Sequence, residues 1–145
     1  MTLSEMLDSL DAVVRMVSAS LQSKDAVALE QSSTRLRDAM AAHPEYVAGE
    51  GRSCTELMRA MGGRVAIKTG AEAVFIAMIP EKKLGLAMKI EDGNSRASEA
   101  ALVGILTQLG VLDAAHPMAQ KRLPAPQTNC RGFTTGELRL SEGFL

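Results

Sequence analysis

The sequence is poor in aromatic residues and has no tryptophan. Aromatic side chains make up 3% of the 145 residues, whereas hydrophobic residues make up 46%. A core must therefore be built from aliphatic side chains and nine methionines, which pack adaptably but specify one arrangement weakly. A charged fraction of only 23% argues against a disordered chain and for a globular one.

The sequence also lacks an excess of charge of either sign and any long apolar run. The formal net charge is −1 at pH 7, so the composition gives no indication of a nucleic-acid or anionic-membrane partner. No segment approaches the roughly 18–20 consecutive apolar residues of a membrane span. The first eight residues carry acids rather than the basic residues that open a signal peptide. We expect a cytoplasmic protein whose partners include neither nucleic acid nor membrane.

Cysteine and histidine are scarce, with two of each. Cys54 and Cys130 lie far apart in sequence, which in a cytosolic chain favours free thiols over a disulfide. His43 and His116 each precede a proline and lack the nearby cysteine or carboxylate spacing of a zinc motif. We therefore expect no metal and no cofactor.

Apolar spacing predicts the order of helices and strands. Residues 1–22 have leucines and valines spaced as on one stripe of an amphipathic helix, which either covers a core or pairs with another helix. The following residues predict a core over 25–110: helices over 25–42 and from 53 to about 61, strands over 64–68, 73–79 and 84–90, and a helix over 95–109. The apolar face of this last helix is predicted from Ala97, Ala101, Val103, Leu106 and Leu109.

Residues 111–145 predict an irregular, proline-rich tail with a possible last strand over 133–140. The whole order is typical of a single α+β domain over 1–145, in which helices pack on an antiparallel sheet.

The Lys68-Thr69-Gly70 sequence stands at the end of the first predicted strand, with Glu72 two residues further on. A lysine that projects from a strand into a cleft can act as a general base or as an electrostatic clamp. Thr69 and Gly70 would let a substrate lie along the edge, and Glu72 would pair with a substrate ammonium. The alternative is a surface lysine before a bend, with Glu72 in an ion pair to an arginine such as Arg96.

Cys54 stands near the N-terminus of the predicted helix that begins at residue 53. A helix N-terminus stabilises a thiolate, so Cys54 is a candidate reactive thiol. The alternative is a buried cysteine that serves packing alone.

Several segments together resemble one family, the rhizobial-type L-asparaginases, or asparaginase II family. They are residues 39–49, 55–60, 68–72, 84–93, 129–132 and 136–139. The resemblance runs from about Leu36 to Arg139 and is to the C-terminal half of these enzymes. It implies a serine β-lactamase-like fold and hydrolysis of L-asparagine to L-aspartate and ammonia. It also implies that Lys68 is the lysine that partners an active-site serine.

Two features of that family are not found in this sequence. Its nucleophile is a serine in a Ser-x-x-Lys motif, and none of the six lysines here has a serine three residues before it. The family's zinc site, formed by two upstream cysteines and a lysine, is not recognisable either. The alternative interpretation is thus a catalytically inactive fragment or pseudo-enzyme that binds a small amino acid. Half of such a fold would expose apolar faces and a sheet edge, so we expect a homo-oligomer.

Overall fold

The computed structural model describes Arg15, Ala19, Gln22 and residues 26–144. The chain divides into two compact units, residues 1–40 and 41–145. In the first unit, Arg15, Ala19 and Gln22 are helical and exposed. The rest of the amphipathic helix predicted over 1–22 lies outside the described residues, and the single-domain assignment stays a prediction.

Helix α1 spans Ala26–Ala42 and crosses the boundary between the two units. It begins and ends within a residue of its predicted limits. Its one buried residue is Ser32, whose hydroxyl donates to the carbonyl oxygen of Ala28 at 2.7 Å. The helix thus satisfies this buried polar group within its own backbone.

The second unit contains an antiparallel sheet of three strands in sequence order: β1 (Ala66–Thr69), β2 (Val74–Ile79) and β3 (Leu84–Lys89). Each strand lies within one or two residues of its prediction. A 3-10 turn over Pro80–Lys82 joins β2 to β3. The register places Lys68 opposite Ile76, and Ile76 opposite Ala87. These three side chains therefore share one face of the sheet, which we call the outer face.

The opposite, inner face carries the core. Ile67, Phe75, Ala77 and Ile79 alternate with the outer residues and are all buried. Helix α3 (Ser53–Ala60) packs on β1, and helix α4 (Ser95–Gln108) packs on β2. Helices on one face of an antiparallel sheet make this an α+β fold, as the sequence predicts.

Two short helices begin at prolines that lie outside the helices predicted from the sequence. They are α2 (Pro44–Ala48) and α5 (Pro117–Gln120). Proline suits the first position of a helix, because the missing N–H would have no intrahelical partner there. The imidazole of His116 caps α5 by accepting a hydrogen bond from the Met118 backbone N–H at 3.1 Å.

The tail is more regular than the sequence suggests, since it contains a two-stranded antiparallel sheet of β4 (Ala125–Thr128) and β5 (Thr134–Leu138). Strand β5 falls inside the segment for which the sequence predicts a last strand. Strand β4 was predicted as irregular because it contains Pro126, but an edge strand of a small sheet tolerates proline.

Candidate functional site

Lys68 lies on the outer face of β1 and is exposed. Its ammonium donates a hydrogen bond to the carbonyl oxygen of Thr69 at 2.6 Å. Around it on this face lie Ile76, which is 44% exposed, and Ala87, which is also exposed. The result is a cation beside apolar side chains on an open face, which also carries Lys89, and a partner or substrate has direct access to it.

Thr69 points to the other side of the sheet from Lys68. It lies opposite the buried Phe75, and its hydroxyl is within hydrogen-bonding distance of the carbonyl oxygens of Gly70 (3.3 Å) and Val74 (3.2 Å). The Gly70 N–H donates to the same Val74 carbonyl at 2.8 Å. Thr69 and Gly70 thus fix the turn that follows β1, and the Thr69 hydroxyl does not share a face with the Lys68 ammonium.

Glu72 lies in this turn with its backbone in the left-handed region, at φ 53°, and Ala73 follows at φ 59°. Two consecutive non-glycine residues there are uncommon, and each costs on the order of 1 kcal/mol. The Glu72 side chain is exposed. No ion pair within residues 26–144 includes it, and Arg96, its predicted alternative partner, donates to the Gln127 side chain at 3.1 Å.

Cys54 is fully buried and is a free thiol. Burial raises the pKa of this thiol, although a backbone hydrogen bond from Thr69 and the charges of Lys68 and Arg52 act in the opposite direction. Helix α3 does place Cys54 in its first turn, as the sequence suggests. At neutral pH, however, the buried group is a protonated thiol rather than a poised nucleophile.

The described residues do not offer the donor set of a zinc site. Within this part of the chain, no three His, Cys, Asp or Glu side chains come together as metal ligands would.

The structure reveals a charged cluster that the sequence analysis missed. Arg122 is only 6% exposed, and its guanidinium donates to Glu56, to Glu99 at 3.1 Å and to the Met118 carbonyl oxygen at 2.9 Å. Lys121 donates to both oxygens of Glu56, at 2.8 and 3.0 Å. The cluster joins α3, α4 and the end of α5. These residues are up to 66 positions apart, so no local motif could have indicated it.

Glu56 is the most strongly paired carboxylate of this cluster. Burial acts to raise its pKa, but the hydrogen bonds and charges of Lys121 and Arg122 outweigh burial, so the pKa of Glu56 lies below its usual value. The folded state therefore favours the ionised form of Glu56.

Comparison with known proteins identifies the family. The protein-family model of L-asparaginase II matches residues 4–140. The chain belongs to the L-asparaginase II family. This match begins upstream of Leu36, where the sequence resemblance was expected to begin, so it also covers most of the N-terminal amphipathic segment. Among curated proteins, none matches this L-asparaginase II family chain. None of its described helices has the length and apolarity that crossing a membrane requires.

Proposed function

We propose that this chain carries the lysine side of an asparagine-hydrolysing site, with Lys68 at its centre. Membership of the L-asparaginase II family supports an amidohydrolase function with an amino acid substrate. The observation that carries the assignment to Lys68 is its position: an exposed ammonium on an open sheet face, beside a turn with left-handed residues. Strained backbone of this kind concentrates at functional sites.

Each predicted residue has a role in this proposal. Amide hydrolysis needs a group that accepts the nucleophile's proton and a group that stabilises the tetrahedral oxyanion; the Lys68 ammonium supplies the second, and the surface that brings the nucleophile would supply the first. Glu72, exposed and without an ion-pair partner in the described chain, pairs with the α-ammonium of asparagine. Gly70 leaves room for the substrate at the end of β1. Thr69 acts indirectly, since its hydroxyl holds the turn.

The nucleophile is the missing element. No Ser-x-x-Lys occurs in the 145 residues, and Cys54 is fully buried with a raised pKa. We propose that hydrolysis requires a nucleophile delivered onto the outer face by another surface. The second candidate function, binding of asparagine without turnover, rests on the same observation. For either function we propose a cytoplasmic location, as expected from the sequence.

The test combines turnover and binding. We expect the purified chain to release no ammonia from L-asparagine above background, and to bind L-asparagine in an NMR titration followed by the amide resonances of residues 66–76. Lys68→Met should weaken that binding at least tenfold, since it removes a charge-assisted contact worth about 1.4 kcal/mol or more. Lys89→Met is a matched control, because Lys89 lies on the same face and likewise donates to the next carbonyl, at 2.7 Å.

Two outcomes would overturn parts of this proposal. Ammonia release by the wild-type chain that disappears in Lys68→Met would show that this chain contains its own nucleophile. Equal binding of asparagine by wild type and Lys68→Met would remove Lys68 from the site.

A further inference from the structure

We propose that a second small-molecule pocket, separate from Lys68, binds the carboxylate and ammonium groups of an α-amino acid. The pocket lies between helix α4, the end of α5 and the β4–β5 sheet, and has a volume of about 250 Å³. Its polar lining is Arg96, Glu99, Lys121, Arg122 and Gln127, and its apolar lining is Ala125, Pro126 and Leu138.

The cationic side of the pocket has unused hydrogen-bond donors. Arg96 uses one terminal nitrogen, Nη1, to reach the Gln127 side chain at 3.1 Å. Its Nη2 and Nε donate to no group within the described chain. A guanidinium with two adjacent free donors matches a carboxylate, which it binds through two parallel hydrogen bonds. Arg96 is therefore the carboxylate anchor.

The anionic side is a single carboxylate oxygen. Glu99 uses Oε2 to accept the Arg122 Nε–H at 3.1 Å, whereas its Oε1 accepts no hydrogen bond from residues 26–144. Because Arg122 is buried and fixes the other oxygen, Glu99 is held in place with Oε1 available. A free carboxylate oxygen in a cavity that also holds a guanidinium favours a ligand with an ammonium next to its carboxylate.

The charge balance supports an anionic or zwitterionic ligand over a cation. Arg96, Lys121 and Arg122 supply three positive charges, while Glu99 and Glu56, to which Lys121 and Arg122 are bound, supply two negative ones. The cluster is thus one charge positive. The side-chain end of the ligand meets only Ala125, Pro126 and Leu138, which set a limit on size rather than on polarity.

Two simple ligands distinguish the carboxylate contact of this pocket from its ammonium contact. Acetate has the carboxylate alone, and glycine has the carboxylate and the ammonium. In titrations at constant ionic strength, followed by the amide resonances of residues 96–99 and 125–127, glycine should bind about tenfold more tightly than acetate. That ratio corresponds to about 1.4 kcal/mol for the added contact to Glu99.

Variants assign the two contacts. Arg96→Gln should weaken both ligands at least tenfold, whereas Arg131→Gln, which removes an exposed arginine outside the pocket, should weaken neither. Glu99→Gln should bring the glycine-to-acetate ratio close to one. Because Glu99→Gln also loosens Arg122 and could unfold the chain, the ratio in the wild type decides independently.

The outcomes distinguish this pocket from the Lys68 site. Glycine binding that persists in Lys68→Met supports a separate pocket, even if the asparagine-hydrolysing proposal fails. Glycine binding that disappears in Lys68→Met, or equal loss in Arg96→Gln and Arg131→Gln, would overturn the pocket. Equal affinity of the wild type for glycine and acetate would overturn the proposed amino acid site, because the pocket would then only attract anions. No response of the amide resonances to either ligand would also overturn the proposal.

Discussion

At the scale of single residues, Arg122 stands apart because it is the one charged side chain that is buried within the described chain. A buried guanidinium is tolerated only where its donors are satisfied, and here they reach two carboxylates and a backbone carbonyl. Removing it would leave Glu56 and Glu99 partly buried without their partner. Arg122 thus connects helices α3 and α4 to the end of α5, and it also lines the proposed pocket.

We predict that Arg122→Met lowers the free energy of unfolding by about 3 kcal/mol at pH 7, because it breaks a buried network from one side. Urea denaturation measures the change. Arg59→Met is the control: Arg59 also binds two glutamates, at 2.7 and 3.3 Å, but on the exposed surface, so its loss should cost much less. A similar small effect for both variants would contradict the structural importance of the network.

The same network predicts a pH dependence of stability. Because the folded-state pKa of Glu56 is lowered, its contribution is fully present above the unfolded-state pKa of about 4.3 and is lost as pH falls through the folded value. The free energy of unfolding should therefore fall below about pH 4.3 more steeply for the wild type than for Glu56→Gln. Parallel urea titrations at several pH values measure this, and identical slopes would contradict it.

Lys68 could be singled out from the sequence because it lies in a short contiguous motif with a family resemblance. The opposite direction of Thr69 could not be predicted, because the predicted strand ends at Lys68, whereas β1 includes Thr69 and neighbouring strand residues face opposite sides. The pairing of Arg122 with Glu56 and Glu99 is a property of tertiary packing and leaves no pattern in the sequence.

At the scale of secondary structure, the turn between β1 and β2 combines a candidate function with backbone strain. Glu72 and Ala73 adopt left-handed conformations that favour glycine, yet neither is glycine. The sequence offered no sign of these conformations, because they favour glycine and the glycine of this segment is Gly70. The observed Gly70 has no left-handed backbone angle.

We predict that Glu72→Gly raises the free energy of unfolding by about 0.5–1 kcal/mol, because relief of left-handed strain exceeds the entropy that glycine adds to the unfolded chain. Ala71→Gly, one position earlier and without a positive φ, should lower it by a similar amount. Under the proposed function, Glu72→Gly should also weaken asparagine binding. Thermal denaturation and the NMR titration measure the two effects, and destabilisation by Glu72→Gly would refute the strain.

Helix α4 is buried over more of its surface than its apolar residues indicate. Val103 and Leu106 are buried as predicted, but so are Ser98, Ala100, Leu102 and Gly104, while Ala97, Ala101 and Leu109 are only half-buried. Ser98 can be buried because its hydroxyl donates to the Ser95 carbonyl oxygen at 2.9 Å. Sequence periodicity predicted where the helix lies but not how many of its sides are covered.

Gly104 shows what the extra coverage requires. A Cβ at this position would lie 2.5 Å from Cδ1 of Leu140. Alanine in the interior of a helix is favoured over glycine by about 1 kcal/mol, so this clash opposes the intrinsic gain. We predict that Gly104→Ala raises the free energy of unfolding of the Leu140→Ala variant by about 1 kcal/mol, but does not raise that of the wild type. A double-mutant cycle by urea denaturation measures the coupling, and simple additivity would show that Leu140 moves aside freely.

At the scale of the whole molecule, the outer sheet face is a candidate surface for association between chains. Val74, Ile76, Met78 and Ala87 are half-buried or exposed there, and β3 has no strand partner on its free side within the described residues. An apolar face next to an open strand edge favours association. The sequence analysis expected association from exposed apolar faces and an open sheet edge, and the outer face and the free side of β3 are surfaces of that kind.

We predict a homo-oligomer at micromolar concentration, measured by analytical ultracentrifugation. Ile76→Lys should shift the equilibrium toward monomer, because it places a charge in the centre of the outer face. Phe133→Lys is the matched control, since Phe133 is 66% exposed but lies beyond the outer face, in the turn between β4 and β5. A monomeric wild type, or an equal effect of both variants, would contradict an interface on this face.

The two cysteines differ in exposure, so modification of their thiols can report how often the native structure opens. Cys130 is exposed in the turn between β4 and β5, whereas Cys54 is fully buried where helix α3 packs against β1. A thiol reagent should modify Cys130 at once and reach Cys54 only when helix α3 separates from β1. The delay between the two modifications measures how rarely the native structure opens at Cys54, and the wild-type chain can be used without any substitution. Ligands of the Lys68 face and of the Arg96 pocket can then be compared by how far each one lengthens that delay.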